Sequence, residues 1–305
     1  MKSANTTAAA PEVSVVMPVR NGMPYLPEAV ESILGQSFRD FEFLIVDDAS
    51  TDETPDYLRS LSDHRISIIT HKVSQGVARS LNHGMMLAAA PLIARQDADD
   101  VSEPDRFLKQ TEWMRRRPEC QVFGSQVKKI NQAGELVEVF PRPMSDAEFE
   151  RMFALYATPF THGSVMMRRA AVMSAGGYRE QIRCAEDYDL WLRLAGPGAL
   201  NNHPDVLYRY RVHDEQICVK NQNEASADCW VSRVMYAERA CTGEDDSLSQ
   251  LDEQQLRAIK ARGIWRPRGA WARRVRVLRN YAKLLDVDSP RRAMIVRALM
   301  LTGGW

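Results

Sequence analysis

The chain has no run of apolar residues approaching the eighteen or so that a membrane-spanning helix needs, and no net charge, with 40 Lys+Arg against 40 Asp+Glu. The first absence leaves only peripheral membrane contact. The second argues against a surface built throughout to hold nucleic acid or another polyanion, and no nucleic-acid partner is expected. Cysteines are few: Cys120, Cys184, Cys218, Cys229 and Cys241 are scattered, odd in number and never in C-x-x-C spacing. That pattern indicates neither a disulfide framework nor a zinc site, and it suits a reducing cytoplasm. The first ten residues lack the apolar stretch of a secretory signal, so a cytoplasmic location is expected, with peripheral contact at the inner membrane face as its variant.

What is present is an ordinary globular composition, 45% hydrophobic over 305 residues, enough for one substantial core and an appended element. The even charge conceals an asymmetry. Residues 255–305 hold 13 Lys/Arg and 2 Asp/Glu, a net of +11, so residues 1–254 carry −11.

Strand and helix signals alternate from the start. Val13 to Val19 is a β-branched run that stops at a turn, and Leu26, Ala29, Val30, Ile33 and Leu34 follow at helical spacing. Phe41 to Val46 reads as a second strand ending in Asp47-Asp48, and Ile66 to Ile69 as a third. A helix bearing Val77, Leu81, Met85 and Ala88 on one side comes next, and Pro91 to Ala94 leads into Asp97-Ala98-Asp99-Asp100. This order predicts an α/β fold, a mostly parallel central sheet with helices on both faces, binding ligands beyond the strand ends.

Past Val101 the alternation loosens. Ser145 with Glu148 three residues on, and Met144 with Phe149, predict a helix start at Ser145. Ser164 to Arg168 and Val206 to Tyr210 read as strands, with a helix from Glu186 to Leu194 between them. From Glu224 onward only helices are expected, broken at Thr242 to Ser249. The expected domains are therefore residues 11–219 and a helical, basic extension over 220–305.

The sharpest chemical feature is the Asp97–Asp100 cluster directly after a buried strand. Carboxylates there can hold a hard divalent cation that neutralises a departing diphosphate, whereas a D-x-D triplet alone is as readily a solvated acidic turn. With its context, the chain resembles the family two glycosyltransferases of GT-A fold. The matching pieces run in order: Val15–Asn21, Val46–Asp52, Gln75–Asn82, Asp97–Asp100 and Cys184–Trp191.

The resemblance implies an inverting transfer of sugar from a nucleotide diphosphate, UDP- or dTDP-sugar favoured, to the hydroxyl of a glycan or lipid-linked acceptor. Cell-surface polysaccharide or glycolipid synthesis would be the setting. It also implies that Pro18, Arg20, Asp47 and Asp48 contact the nucleoside, that Gly76, Arg79 and Asn82 lie near the nucleotide, and that Asp97 faces the ribose or the metal. Asp99, with Asp97 and His213, would hold Mn²⁺ or Mg²⁺. Asp187 would be the base that takes the acceptor's proton. His162, Glu186 and Trp191 would shape the acceptor pocket. Each has a plainer reading: Glu186 and Asp187 suit a helix N-terminus electrostatically, and a lone histidine is commonly structural. His64, His71 and His83 have no constellation in the sequence, and Met85-Met86 and Met166-Met167 read as core fillers.

Two other functions stay open. A sugar-phosphate nucleotidyltransferase would show a glycine-rich loop after the first strand, where this chain has Pro18-Val19-Arg20-Asn21-Gly22. A non-catalytic sugar-nucleotide-binding scaffold would not need Asp97, Asp99 and Asp187 together. In the basic extension, Trp271, Val275, Leu278, Ala282 and Leu285 recur at helical spacing amid Arg268, Arg273, Arg274, Arg276, Arg279 and Lys283. That pattern suits either an anionic membrane or the acidic body.

Overall fold

The computed structural model describes residues 10–213 except 156, together with residues 216, 224, 225, 228, 229, 231, 232, 235 and 236. Backbone contacts divide the chain into units Met1–Gln222 and Asn223–Trp305. In the second unit the described residues are helical, and Asp228, Val231, Ser232 and Met235 recur as one buried stripe. The basic stretch over 255–305 lies outside the described residues.

The first unit opens with strand β1 (Val13–Val19), helix α1 (Leu26–Leu34), β2 (Phe41–Asp47), α2 (Thr54–Ser60), β3 (Ile66–Thr70), α3 (Val77–Leu87) and β4 (Leu92–Arg95). β1 pairs in parallel with β2 on one side and β4 on the other, and β2 pairs in parallel with β3. β1, β2 and β4 are covered on both faces, which is why they are apolar without alternation, whereas β3 at the edge is largely exposed. Val13, Val15, Met17, Phe43 and Ile45 share a core with Leu26, Ala29, Val30 and Ile33 of α1 and Leu58 of α2. Val16, Leu44 and Val46 point the other way and are equally buried, beneath α3, which packs on β1 and β2. Each such side chain taken wholly from water stabilises the fold by about 1.5–3 kcal/mol before entropy is counted. The chain leaves β1 for β2 and β3 on one side, then returns to β4 on the other. The crevice beyond the carboxyl ends of β1 and β4 is therefore the switch point at which open α/β sheets take ligands.

Beyond β4 come β5 (Val101–Ser102), α4 (Arg106–Arg116), β6 (Val122–Ile130), β7 (Leu136–Phe140), α5 (Asp146–Ala154), β8 (Met166–Arg168), α6 (Arg169–Ser174), α7 (Glu186–Leu194) and β9 (Leu200–Arg211). The sheet runs β3-β2-β1-β4-β8-β6-β9-β5, with β7 on β6. Its second half is mixed: β8 is antiparallel to both β4 and β6, whereas β9 is parallel to β6 and antiparallel to β5. Ser145 caps α5 in a full capping box with Glu148, as its spacing predicts. Ser164 belongs to a short 3-10 turn, His162–Ser164, that precedes β8.

One buried cation ties the two halves of the sheet together. Arg106, wholly enclosed, donates from Nε to Gln110, from Nη1 to Gln96 and Ser102, and from Nη2 to the carbonyls of Arg95 and Val165. All five N–H bonds are thus used, as a buried guanidinium requires. Burial still pulls its pKa down to about 10.

Candidate functional site

The turns after β1 and β2 are built as one piece. Asn21 and Ala49 both sit at positive φ, 53° and 58°. Asn21 N donates to Ser50 Oγ and Thr51 N donates to Asn21 Oδ1, while Gly22 N reaches Thr54 Oγ1 and Met23 N reaches Asp52 Oδ2. This lacing uses the polar residues that end the second strand and brings Pro18 and Arg20 beside Asp47 and Asp48. Asp47 is buried and accepts Ser50 N at 3.0 Å.

Asp48 is engaged on both oxygens inside the protein. Oδ1 meets His71 Nδ1 at 2.8 Å and accepts Gln75 N at 2.7 Å; Oδ2 accepts Ser74 Oγ at 2.7 Å and Gly76 N at 2.9 Å. Burial works to raise this carboxyl, but the bonds from His71, Gln75, Ser74 and Gly76 outweigh it and hold the group below the usual carboxylate range. Arg20 Nη1 donates to the same Ser74 hydroxyl at 2.9 Å. Gly76 opens α3 at φ +89°, and a Cβ there would meet nothing within 4 Å; conformation, not space, demands glycine.

Further along α3, Arg79 pairs with Glu180 at 2.6 Å, both side chains being about half exposed. Asn82 forms a two-way clamp with the Tyr178 backbone: Nδ2 donates to its carbonyl and Oδ1 accepts its N–H, both at 2.8 Å. Asn82 therefore fastens the segment before α7 onto α3, a role the sequence does not reveal.

The acidic cluster follows β4. Asp97 forms an ion pair with Arg95, and its backbone N donates to Tyr208 Oη at 3.2 Å. Asp99 Oδ2 lies 2.9 Å from His213 Nε2, and the His213 ring in turn leans on Tyr25, with centroids 5.0 Å apart. Asp100 is fully buried; Oδ1 accepts Arg211 N at 2.7 Å and Oδ2 has no hydrogen-bond partner. Burial first, then the neighbouring carboxylates, push the Asp100 carboxyl far above its ordinary range; burial and Asp99 likewise raise Asp97, against the pull of Arg95. Arg211 frames the cluster from behind. Nε donates to Asp99 O, Nη1 to the carbonyls of Asn131 and Gln132, Nη2 to Glu28, and the guanidinium lies over the Tyr25 ring.

Gly163 closes the floor. A Cβ there would collide with Tyr208 Oη and come within 2.6 Å of Asp97 Oδ2. Arg95, Tyr208, Arg211 and Gly163 were not singled out from sequence. The available signal was an arginine ending a buried strand beside three carboxylates, which must be paired to be buried at all.

On the facing side, Asp187 is the second residue of α7. Its Oδ1 accepts Tyr188 N at 2.7 Å and Oδ2 accepts Thr158 Oγ1 at 3.3 Å. Burial raises its carboxyl against these two bonds and Arg95, and Asp97 raises it further, so the two carboxylates lie within each other's field. Arg142, whose pKa burial lowers to about 10, faces Asp187 electrostatically while donating to Thr161 and to the Thr158 carbonyl.

His162 is largely enclosed: Nε2 meets Tyr178 Oη at 2.8 Å and Nδ1 lies 3.8 Å from Glu186 Oε1. Burial and the Arg95 charge hold His162 well below the ordinary histidine pKa, so it is neutral. Trp191 is entirely buried, edge-on to Phe160 and His162. In this arrangement it backs His162 and, being wholly buried, does not present a face to an acceptor. His71 and His83, which the sequence leaves without partners, have parallel rings with centroids 5.2 Å apart that meet end to end, His71 Nε2 and His83 Nδ1 being 2.9 Å apart.

Asp97 and Asp99 supply carboxylate oxygens and His213 an imidazole, donor chemistry of the kind Mn²⁺ or Mg²⁺ takes, but Asp97 is paired with Arg95 and Asp99 with His213, and the three residues do not bring their ligand atoms within 4.8 Å of one another.

A four-strand parallel half-sheet with laced β1 and β2 turns, an acidic cluster at the switch point and a carboxylate facing it defines the GT-A class of nucleotide-sugar transferase folds. The comparisons carry this to a family: the glycosyl transferase family 2 model matches residues 14–176, and the chain belongs to that family. Among relatives, the putative glycosyltransferase EpsE of Bacillus subtilis is 36% identical over 211 residues, covering 66% of this chain and 73% of EpsE. The O-antigen biosynthesis glycosyltransferase WbnJ of Escherichia coli is 28% identical, covering 67% and 80%. Two solved structures share the fold. They are S. aureus TarS 1–349 in complex with UDP-GlcNAc (TM-score 0.63, 15% identity, 90% of this chain and 82% of that one) and the mannosyltransferase PcManGT from Pyrobaculum calidifontis in complex with GDP-Man and Mn²⁺ (TM-score 0.57, 18%, 97% and 81%).

Proposed function

We propose that this family two glycosyltransferase is metal-assisted and inverting, moving a sugar from a UDP- or dTDP-sugar to a glycan or lipid-linked acceptor hydroxyl in surface polysaccharide or glycolipid synthesis. The observation that carries the reading is the short route from the acidic cluster to α7: Asp97 Oδ2 lies against Gly163, and the adjacent His162 lies 3.8 Å from Glu186, the neighbour of Asp187. The acidic cluster is read as the donor side and Asp187 as the acceptor side. Inversion needs one base, positioned so that the acceptor oxygen attacks opposite the departing diphosphate. Asp187 is that base. Its raised pKa strengthens its pull on the acceptor proton, Thr158 and the Tyr188 amide hold it in place, and Arg142 braces Thr158 through its carbonyl.

Asp97, Asp99 and His213 would hold the cation, whose charge, when bound, offsets that of the leaving diphosphate. Arg20, Asp48 and Gly76 order the nucleoside side, with Pro18 and Asp47 forming the strand ends beneath. Arg79 lies at the rim, where its exposed pair with Glu180 is cheap to break in favour of a phosphate. His162, neutral and hydrogen-bonded to Tyr178, lines the acceptor side with Glu186. The +11 segment over 255–305 would hold the enzyme at an anionic membrane surface, close to a lipid-linked acceptor.

Support for the donor class comes from relatives of shared fold bound to UDP-GlcNAc and GDP-Man, the latter with Mn²⁺, and for the setting from the O-antigen enzyme. The test is thermal stabilisation by a panel of nucleotide diphosphate sugars with and without Mn²⁺. A bound donor at about a hundred times its Kd should stabilise by about 2.7 kcal/mol. No stabilisation by any donor would reject the reading.

A further inference from the structure

Resting on the donor site just described, we propose that His71 is a positioning residue for the donor, backed by His83: it holds Asp48 so that the Ser74–Gly76 turn is already formed when the nucleotide arrives. The chain of contacts runs unbroken through four elements. Arg20, after β1, donates to Ser74; Ser74, Gln75 N and Gly76 N, at the start of α3, all donate to Asp48 at the end of β2. His71, just past β3, completes the ring around Asp48, and His83 on α3 stands behind His71. Asp48 thus ties the whole loop from His71 to Gly76, between β3 and α3, to the end of β2, and His71 is its side-chain partner at the start of that loop.

The tautomers follow from the acceptors. Asp48 accepts four donors and can give none, so His71 Nδ1 carries a hydrogen. In a neutral pair, His71 Nε2 then accepts, and His83 Nδ1 must donate to it. The two rings are parallel, with 3° between their planes, so His83 also fixes the orientation of the His71 ring. With both its nitrogens engaged, the His71 ring is not available for chemistry on substrate in this arrangement. What the pair does is remove freedom from the turn. Gly76, at φ +89°, belongs to the residue type with the most backbone freedom to lose, so an untethered turn would have to be ordered by the nucleotide at a cost in affinity.

Asparagine and glutamine separate the two contacts. Asparagine's Nδ2 occupies nearly the position of histidine Nδ1 and can donate to Asp48, whereas glutamine reaches only toward the Nε2 position. The experiment compares wild type, His71→Ala, His71→Asn, His71→Gln and His83→Phe. The readouts are amide hydrogen exchange at Gln75 and Gly76 without ligand, and UDP, dTDP and GDP binding with Mn²⁺ by calorimetry. Steady-state transfer is measured with the donor that stabilises best.

For His71→Ala we expect faster exchange at both amides, a nucleotide Kd and donor KM raised about tenfold or more, and a nearly unchanged kcat. His71→Asn should restore both to within about threefold, and His71→Gln should not. His83→Phe, which keeps a ring at this position of α3 but loses the hydrogen bond, should give an intermediate effect. Unchanged exchange at Gln75 and Gly76 in His71→Ala would overturn the tether itself. Faster exchange with unchanged Kd and KM would overturn its role in donor binding. Equal loss in His71→Ala and His71→Asn would show a bulk structural role, and wild type binding none of the three nucleotides would instead reject the donor-site reading on which the inference rests.

Discussion

Replacing Asp187 by asparagine should abolish transfer while leaving the fold and the donor site in place. The present contacts show why the fold survives. Oδ1 would remain an acceptor for Tyr188 N, and the new amide nitrogen would take the place of Oδ2 opposite Thr158. The Thr158 hydroxyl also lies 3.2 Å from the Phe160 carbonyl, so it can donate there and accept from the amide. No buried group loses its partner, and stability should change by less than about 1 kcal/mol. The barrier is another matter. General-base assistance is worth roughly 10²–10⁴-fold, about 2.7–5.5 kcal/mol at room temperature. The assay is steady-state transfer with the best-stabilising donor, alongside donor binding and thermal unfolding. A pH–rate profile of wild type supplies a second check. Burial raises the Asp187 pKa, the base works only when ionised, and activity should therefore fall as pH drops through that raised value, an acid limb displaced upward from the ordinary aspartate range. Near-normal transfer by the asparagine variant, or an acid limb at the ordinary aspartate pKa, would refute the assignment of Asp187.

Asp99→Ala should weaken Mn²⁺-dependent donor binding by at least about tenfold while leaving free nucleoside binding nearly unchanged, because the cation acts at the diphosphate; isothermal titration with both ligands checks this, and full activity in excess chelator would remove the metal assignment. Gly163→Ala forces a methyl against Tyr208 Oη and Asp97 Oδ2 and should cost about 1–3 kcal/mol in chemical unfolding, with a further loss of donor affinity as Asp97 is displaced. Truncation after Asp246 should leave donor binding intact and reduce co-sedimentation with anionic vesicles, the difference shrinking at high salt, since each Lys/Arg near such a surface contributes about 1 kcal/mol. Equal sedimentation of both forms would exclude the membrane role, and lost donor binding would assign the segment to the catalytic body.

The parallel half-sheet was legible because β1, β2 and β4 are buried on both faces, its helices on one, and the edge strand β3 is a run of isoleucines. Val13–Val19 and α1 at Leu26–Leu34 coincide with their sequence signals. The capping box at Ser145 and α7 from Glu186 are local devices and were legible for the same reason. β6 and β9 were harder. β9 carries Pro204 and Asp205 inside its span, and its register with β6 shifts near Ser125 and Gln126, so neither strand presents a clean period. β7 was invisible because Leu136, Val137 and Val139 are exposed on a strand paired only to β6, and its apolar residues do not mark a buried face.

The site divides along the same line. Residues named from contiguous motifs, such as Asp97, Asp99 and Asp187, carry charge that is intelligible from local context. Their supports come from far along the chain: Arg211 reaches Asp99 across 112 residues, Tyr208 meets Asp97 across 111, and Asn82 clamps Tyr178 across 96. None of these partners advertises itself, because a buried arginine, tyrosine or asparagine acquires its meaning only from the carboxylate or backbone it must satisfy. Asp48 makes the point most sharply. Its place in an acidic pair after a strand suggests a group offered to ligand, yet four internal donors already occupy it, two of them backbone amides of the turn that opens α3. A nucleoside that uses Asp48 must therefore either displace one of those donors or bind through the turn they hold, and in both cases the affinity of the donor depends on how firmly that turn is tied.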